Sequence, residues 1–371
     1  MNVPLLDLVA QYRAIKDEVL PALQAVIESQ QFVMGPPVPQ LEIAVARLAG
    51  AKHGIACASG TDALLLPLKA LGLSPGDEVV TTPFTFFATA GTIHNAGGTP
   101  VFVDIEPGTF NIDPAAVEAA ITPRTRAIVP VHLYGQMAAL ERLLPIARAR
   151  GLKILEDAAQ AIGSRRKIDG QWRMAGELGW ATGYSFFPSK NLGAWGDGGM
   201  MVTSDDALAD RLRKLRLHGG AKQYHHDEVG TNSRLDSIQA AVLLAKLPYL
   251  AAWSGRRREH AATYTNALAD VSEVRTPVVD TCNEPIFHQY TLRVERRDDL
   301  QAHLKSKGVG NAVYYPVPLH LQNCFSHLGY QRGRLPEAER AAGEVISLPI
   351  YPELTRDQVE YVADTIRGFY R

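Results

Sequence analysis

Lys190 stands in a segment whose residue types suit covalent chemistry. It lies within an irregular run, residues 186–193, and a glycine-rich run follows at residues 196–199. Glycines permit left-handed backbone and allow a ligand to come close to the chain. A lysine in such a setting can lose its proton and attack a carbonyl carbon, which forms a Schiff base. The alternative is a solvated loop lysine, which is the usual role of a single lysine.

Asp157 ends an apolar segment upstream of this lysine. Residues 152–155 predict a strand of a parallel sheet, and Glu156 and Asp157 follow it. Because open α/β sheets bind ligands at the carboxyl ends of their strands, Asp157 is placed where a ligand would lie. A carboxylate there can keep a pyridinium nitrogen protonated, and that positive nitrogen makes pyridoxal phosphate (PLP) an electron sink. A helix-capping aspartate is the alternative.

A turn of small residues at Ser59, Gly60 and Thr61 follows a short predicted strand and opens a predicted helix. Free backbone N–H groups and the helix dipole make such a turn an anion site. The hydroxyl of Ser59 or Thr61 and the amides of Gly60 and Thr61 would hold a phosphate. A helix start of this composition is also a common cap without a ligand.

Three aromatic residues, Phe84, Phe86 and Phe87, follow the next predicted strand. We expect two of them to belong to the core. The third could stack on the planar ring of a cofactor, because aromatic faces favour such contacts.

The elements that must position these residues alternate along the chain. Two amphipathic helices are predicted first, at 10–29 and 38–49. Apolar strands then alternate with helices, which is typical of a mostly parallel sheet with helices on both faces. The predicted strands are 54–58, 78–82, 100–103, 127–131 and 152–155, and the predicted helices are 63–71, 88–96, 114–121 and 138–149.

The C-terminal part of the chain has a different pattern. A long helix is predicted over 233–268. Beyond it the sequence predicts strands at 287–294 and 309–315 and helices at 299–307, 336–344 and 355–369. Such a mixture indicates a smaller C-terminal α/β lobe. We therefore divide the chain into a large domain, residues 1–245, and a smaller domain, residues 246–371.

Composition excludes several classes of protein. The chain has 371 residues, of which 46% are hydrophobic and 21% are charged, as in an ordinary globular protein. The 38 basic and 39 acidic side chains nearly cancel and form no basic run, which argues against nucleic-acid binding. We expect neither a membrane span nor a signal peptide, because no apolar stretch has the required length or flanks.

The three cysteines, Cys57, Cys282 and Cys324, are far apart and lack metal-ligand spacing. We therefore expect no metal site and a reduced, cytoplasmic compartment. A chain of this length can bury a core large enough to fold without a disulfide or a metal.

Together these segments resemble the DegT/DnrJ/EryC1/StrS family of sugar aminotransferases, which are fold type I PLP enzymes that act on nucleotide-linked keto sugars. The resemblance extends from residues 4–8 to residues 348–352. It implies an α/β fold like that of aspartate aminotransferase, with a mostly parallel central sheet and a smaller C-terminal lobe. The segments that carry it are residues 59–64, 156–160, 185–190, 196–199 and 230–236.

The resemblance implies a cofactor role for the matching residues. Lys190 would form the Schiff base with PLP, and Asp157 would pair with the ring nitrogen. Gln160 would touch the ring hydroxyl, and Phe86 would lie on the face of the ring. The residues implied at the phosphate are Gly60, Thr61 and Ser185.

The resemblance also implies contacts beyond one protomer and with the substrate. Asn232 and Arg234 would reach the phosphate region of the neighbouring subunit's site, which implies a homodimer with shared active sites. The segment from Tyr315 to His320 resembles one that lines the sugar-nucleotide cleft, so both residues are candidate substrate contacts.

A basic stretch formed by Arg165, Arg166 and Lys167 is less typical of the family. We expect a solvated turn there, because arginine and lysine are usually exposed. Contact with a diphosphate is the alternative, and we leave these residues outside the predicted site.

The predicted activity is transfer of an amino group from an amino acid, with glutamate as the expected donor, to a nucleotide-linked keto hexose. A 3-keto hexose is favoured, and a 4-keto-6-deoxy hexose is the alternative. The amino sugar would serve surface polysaccharide, lipopolysaccharide or secondary-metabolite glycans. Related proteins that dehydrate sugars carry histidine at the lysine position, so Lys190 favours transamination. A PLP-dependent sugar lyase, aldolase or dehydratase and a regulatory protein without turnover stay open.

Overall fold

Helices and strands alternate through most of the chain. The computed structural model describes residues 1–222 and 224–371. Across these residues the helices are α1 (Leu8–Ser29), α2 (Pro37–Ala49), α3 (Gly60–Leu71), α4 (Ala88–Asn95), α5 (Pro114–Ala120), α6 (Leu140–Ala149), α7 (Asp206–Leu215), α8 (Ser237–Lys246), α9 (Leu250–Ala267), α10 (Arg297–Ser306), α11 (Pro336–Glu344) and α12 (Arg356–Tyr370).

The strands form one large sheet and two small ones. They are β1 (His53–Cys57), β2 (Glu78–Thr81), β3 (Thr99–Phe102), β4 (Thr125–Val129), β5 (Lys153–Asp157), β6 (Arg165–Ile168), β7 (Gln171–Met174), β8 (Ala181–Ser185), β9 (Gly199–Thr203), β10 (Val274–Arg275), β11 (Asn283–Glu284), β12 (Tyr290–Val294) and β13 (Val345–Leu348). The large sheet has the order β1-β9-β8-β5-β4-β2-β3.

The large sheet is parallel except at one strand. The neighbours from β8 to β3 run parallel, whereas β9 is antiparallel to both β1 and β8. The α/β class and the mostly parallel central sheet predicted from the sequence are therefore confirmed.

Both faces of this sheet are buried, because alternate side chains of a strand point in opposite directions. On β4, Ile128 packs into a core with Leu41 of α2 and Leu143 of α6. Ala127 and Val129 of the same strand pack on the other face, into a core that α3 and α7 complete. Helices on both faces account for the apolar strands that the sequence shows.

A smaller antiparallel sheet, β10-β12-β13, organises the C-terminal part. Tyr264 of α9, Leu292 of β12 and Val362 of α12 belong to its core. The amino-terminal segment joins this part, because the N–H of Val3 donates to the Gly308 carbonyl at 2.9 Å. The division predicted between residues 245 and 246 falls at the end of α8, and we retain it as a proposal.

Two of the predicted C-terminal elements differ from the structure. The long helix predicted over 233–268 is two helices, α8 and α9, joined by a short turn of 3₁₀-helix at Leu247–Tyr249. Pro248 lies in this turn and lacks the N–H that a continuous helix would use. The strand predicted over 309–315 is wrong, since only isolated bridges form there, at Val309 and Ala312.

The basic stretch at residues 165–167 is a strand, β6, and not a solvated turn. The side chain of Arg166 is only 4% exposed. Its guanidinium donates to Glu141 Oε2 at 2.7 Å and to Asp280 Oδ2 at 2.8 Å. The expected exposure is therefore wrong for Arg166, because two acids from distant segments bind it, whereas Lys167 is exposed.

Within the described residues, no helix combines the length and the apolar character needed to cross a membrane.

Candidate active site

A cavity of about 470 Å³ lies at the carboxyl ends of the strands of the large sheet. Asp157 and Ser185 are the last residues of β5 and β8, and both line it. The C-terminal part closes the cavity from the other side. Its lining residues there are Arg257, His288, Gln289, Tyr314, Tyr315, Ser347, Leu348 and Ile350, and the amino-terminal segment adds Leu5 and Leu6.

Lys190 lines this cavity from the irregular segment that follows β8. A backbone hydrogen bond of 2.8 Å, from the N–H of Lys190 to the carbonyl of Phe187, holds that segment in a turn. Burial away from water lowers the pKa of Lys190 to about 8, and the negative charge of Asp157 partly opposes this shift. The amine is therefore neutral far more often than an exposed lysine would be.

Asp157 is 5% exposed and is held on both carboxylate oxygens. Oδ2 accepts a hydrogen bond of 2.7 Å from the hydroxyl of Thr89, and Oδ1 accepts one of 3.2 Å from the N–H of Ala159. Burial raises the pKa of Asp157, and both hydrogen bonds work against that rise. Residues 158–164 form turns and no helix, so the helix-cap alternative for Asp157 is wrong.

The start of α3 offers free backbone donors to the same cavity. The hydroxyl of Ser59 caps the helix by accepting from the N–H of Asp62 at 3.1 Å. Gly60 and Thr61 are the first two residues of the helix, where N–H groups have no helical partner. A Cβ on Gly60 would lie 2.5 Å from the Cβ of Ser185, so only glycine fits there. The arrangement suits an anion.

Gln160 is oriented by its neighbours. Its Oε1 accepts from the N–H of Tyr134 at 2.7 Å, and its Nε2 donates to the hydroxyl of Tyr315 at 3.2 Å. The side-chain oxygen is thus occupied by backbone, which leaves the amide NH₂ group as the part of Gln160 that can reach a ligand oxygen. Burial raises the pKa of Tyr315, so its phenol keeps its proton.

The burial of the three aromatic residues near β2 differs from our expectation. Phe84 is fully buried, but Phe86 is 60% and Phe87 is 48% exposed. Phe86 lines the cavity, with its ring centroid 6.5 Å from that of Tyr315. The prediction of two core residues is therefore wrong for Phe87, which stacks on Phe325 at the surface of the fold.

His320 does not belong to the cavity, which corrects its assignment as a substrate contact. Its ring is buried, and Nε2 lies 3.1 Å from Oε1 of Glu339. The short helical turn Leu319–Leu321 directs the ring into the protein instead of the cleft. Asn232 and Arg234 also lie outside the cavity lining of their own chain, so their implied role in a neighbouring subunit stays a prediction.

His288 is a cavity residue that the sequence analysis missed. The Nδ2 of Asn191 donates to the Ile286 carbonyl at 3.1 Å, so Oδ1 of Asn191 faces His288 Nδ1, 3.1 Å away. His288 must then carry its proton on Nδ1 and present an unprotonated Nε2. Burial lowers the pKa of His288 well below its usual value, which keeps the ring neutral.

Apart from Tyr315, the cavity residues from the C-terminal part match no local pattern. Arg257 lies on α9, Ser347 on β13, and His288 in the segment just before β12, and their types and spacing match no motif. Thr89, the partner of Asp157, lies within a short apolar helix where a threonine carries no functional signal. Thr89 meets Asp157 within the large domain, whereas His288, Arg257 and Ser347 reach the cavity only because the C-terminal part closes on the large sheet.

The residues of this cavity fit PLP. A lysine amine of lowered pKa, a buried carboxylate and a set of free N–H donors line the same space, as the aldehyde, ring nitrogen and phosphate of the cofactor require. The donor set and the mostly parallel sheet define the class of protein as a PLP enzyme of the α/β type.

Comparison with known proteins gives the family. Residues 13–367 match the sequence model of the DegT/DnrJ/EryC1/StrS aminotransferase family. The chain belongs to this family. The resemblance found in the sequence is thus confirmed, together with the fold of PLP sugar aminotransferases, the PLP cofactor and the transaminase class.

The chain is similar to its relatives over its full length. A protein named Pleiotropic regulatory protein, from Geobacillus stearothermophilus, is 54% identical over 100% of this chain and 99% of its own. UDP-N-acetyl-3-dehydro-alpha-D-glucosamine 3-aminotransferase from Acidithiobacillus ferrooxidans is 44% identical over 98% of this chain and 97% of its own. The crystal structure of S. venezuelae DesV matches with a TM-score of 0.96 and 42% identity, over 100% of this chain and 99% of that one.

Proposed function

We propose that this protein transfers an amino group from L-glutamate to the 3-keto group of a nucleotide-linked hexose. The observation that carries the proposal is that Lys190, Asp157 and the free donors at the start of α3 line one cavity. The similarity to an enzyme named as a 3-aminotransferase supports position 3 of the sugar. A 4-keto-6-deoxy hexose is the alternative substrate.

Each cavity residue has a defined task in this proposal. Bound PLP supplies the electron sink that stabilises negative charge at the donor's α-carbon. Asp157 holds a proton at the ring nitrogen, since its carboxylate is fixed by two hydrogen bonds. Gly60, Thr61 and Ser185 bind the phosphate, and Gln160 donates to the ring oxygen.

Lys190 is the residue that holds the cofactor and moves the proton. Its lowered pKa leaves part of the amine neutral near pH 7, which both bond formation and proton abstraction require. When free, its Nζ would take the proton from the α-carbon of glutamate and pass it to the cofactor, which would keep the amino group while water releases 2-oxoglutarate. With the keto sugar bound, Lys190 would move a proton in the opposite direction, so that the amino group ends on the sugar carbon that carried the ketone and the ketone oxygen leaves as water.

A second subunit completes the site in this proposal. Phe86 and Phe187 line the cavity and are 60% and 52% exposed, and Trp195, in the segment after Lys190, is 38% exposed. Exposed aromatic surface of this kind usually marks an interface. A homodimer would cover it and bring Asn232 and Arg234 of one chain to the phosphate region of the other. The amino sugar that the proposed enzyme makes would enter surface polysaccharide, lipopolysaccharide or secondary-metabolite glycans.

The decisive experiment measures products. PLP-loaded protein is mixed with glutamate and a panel of nucleotide-linked 3-keto and 4-keto hexoses, and product masses are read. We expect an amino sugar from a 3-keto substrate together with 2-oxoglutarate. Lys190→Ala should abolish turnover, and Asp157→Asn should lower the rate much more than the stability. Dehydrated sugar, or full activity of Lys190→Ala, would contradict the proposal.

A regulatory function is the second candidate, because one close relative bears a regulatory name. A protein that only binds has no need for a lysine of lowered pKa in the same cavity as a buried carboxylate, so the cavity supports turnover instead. The two functions differ in one simple measurement. A regulatory protein would bind the sugar nucleotide but keep the yellow colour of PLP after glutamate is added, whereas an aminotransferase would bleach.

A further inference from the structure

Two threonine hydroxyls form a hydrogen-bonded chain to Asp157, and the first of them, Thr85, belongs to a residue of the cavity wall. The hydroxyl of Thr89 lies 2.7 Å from Oδ2 of Asp157, and the hydroxyl of Thr85 lies 3.0 Å from that of Thr89. All three side chains are buried: Asp157 is 5%, Thr85 is 3% and Thr89 is 1% exposed. The hydrogen bonds are therefore shielded from competing water.

The chemistry of the groups fixes the direction of these hydrogen bonds. An ionised carboxylate only accepts, so Thr89 must donate its single hydroxyl proton to Asp157. Thr89 then has only lone pairs to offer Thr85, so Thr85 donates to Thr89. The chain runs from Thr85 through Thr89 to Asp157, and each bond polarises the next.

Other groups near Asp157 do not replace these hydroxyls. Lys190, on the cavity side, favours the ionised carboxylate through its positive charge. His132 is itself occupied, with Nε2 2.7 Å from Glu156 Oε2 and Nδ1 accepting from the N–H of Ala138 at 3.1 Å. Tyr315 faces the carboxylate with a neutral phenol. Within the described residues, Thr89 is the one side chain that hydrogen-bonds Asp157.

We propose that Thr89, supported by Thr85, is a positioning residue that keeps Asp157 ionised and aimed at the ring nitrogen of the cofactor. The proposal rests on the proposed pairing of Asp157 with that nitrogen. Burial alone would favour the protonated acid, which cannot hold a second proton on the ring. Loss of the Thr89 hydroxyl should therefore weaken the pairing without changing the shape of the cavity, because valine has the same branching as threonine.

The test compares PLP with its 1-deaza analogue, in which a C–H group replaces the ring nitrogen. Dissociation constants of both are measured for the full-length apoprotein and for Thr89→Val, Thr89→Ser and Asp157→Asn. We expect the wild type to prefer PLP over the analogue. In Thr89→Val this preference should fall about tenfold, which is typical of a lost hydrogen bond to a charged group. Thr89→Ser should keep it.

Two further variants separate the possible outcomes. Thr85→Val should lower the preference in the same direction by a smaller factor, because it leaves the bond to Asp157 in place. An equal loss of affinity for PLP and the analogue in Thr89→Val, or an unchanged preference, would overturn the proposal. If Asp157→Asn keeps the preference for PLP over the analogue, Asp157 does not pair with the ring nitrogen. The proposed role of Thr89, which depends on that pairing, is then refuted as well.

Discussion

The protonation of Lys190 can be tested without substrate. With a pKa of about 8 in place of the usual 10.5, about one amine in ten is neutral at pH 7, whereas an unperturbed lysine would be neutral about once in three thousand. The shift has this sign because burial penalises the charged ammonium, so the proton leaves at lower pH. We therefore expect an apparent midpoint near pH 8 for the reactivity of this one residue.

Competitive acetylation measures that midpoint directly. The apoprotein and an unstructured lysine peptide are labelled with a trace of acetic anhydride between pH 6 and 11, and the peptide that contains Lys190 is quantified by mass spectrometry. The reference lysine should titrate near 10.4. Saturation with PLP should protect Lys190 and leave the reference unchanged.

Replacement of Asp157 should shift the pKa of Lys190 in the opposite direction from partial unfolding. Its negative charge raises the pKa of Lys190, so Asp157→Asn should move the midpoint of Lys190 to lower pH. Partial unfolding would expose the amine and move the midpoint up instead. A midpoint of 10 or above for Lys190 in the intact protein would refute the reasoning that connects burial with its reactivity.

Two other substitutions test the surroundings of the site. Gly60→Ala should weaken PLP binding at least tenfold while the secondary structure by circular dichroism is unchanged, because the new methyl would lie 2.5 Å from the Cβ of Ser185. Normal PLP affinity would contradict this. Arg166→Met should lower the free energy of unfolding by about 2 kcal/mol, since two half-buried acids lose their partner. Denaturant unfolding measures the loss, and Lys167→Met, one residue away and exposed, is the matched control with no expected change.

The sequence predicted five of the seven strands of the large sheet, β1 to β5, because they and the helices between them carry their own apolar patterns. It did not predict β8 (Ala181–Ser185) or β9 (Gly199–Thr203). Helix α11, at Pro336–Glu344, has the predicted bounds. The errors fall where a pattern is ambiguous without tertiary contacts. Residues 309–315 are apolar enough for a strand, yet within this segment only Val309 and Ala312 form bridges, and Tyr314 and Tyr315 line the cavity instead.

Apart from Tyr315, the candidate site was predicted from the side of the large sheet. Asp157 ends β5 and Lys190 follows the neighbouring strand β8, so the sheet brings both residues to its carboxyl edge. Because β8 was not predicted, the place of Lys190 beside Asp157 was expected from the family resemblance. His288 lies in the segment just before β12 of the smaller sheet, and its place in the cavity depends on how the two parts close together. His320 shows the reverse error, since its neighbour Tyr315 lines the cavity while its own ring points into the protein.

The amino-terminal segment has a consequence for how the protein can be altered. It pairs with the C-terminal part through Val3, and Leu5 and Leu6 form part of the cavity wall, although none of these residues belongs to either main sheet. Removal of this segment would open one wall of the cavity, while the strands of both sheets would remain in the chain. A purification tag is therefore better fused after α12, because no residue of that helix lines the cavity.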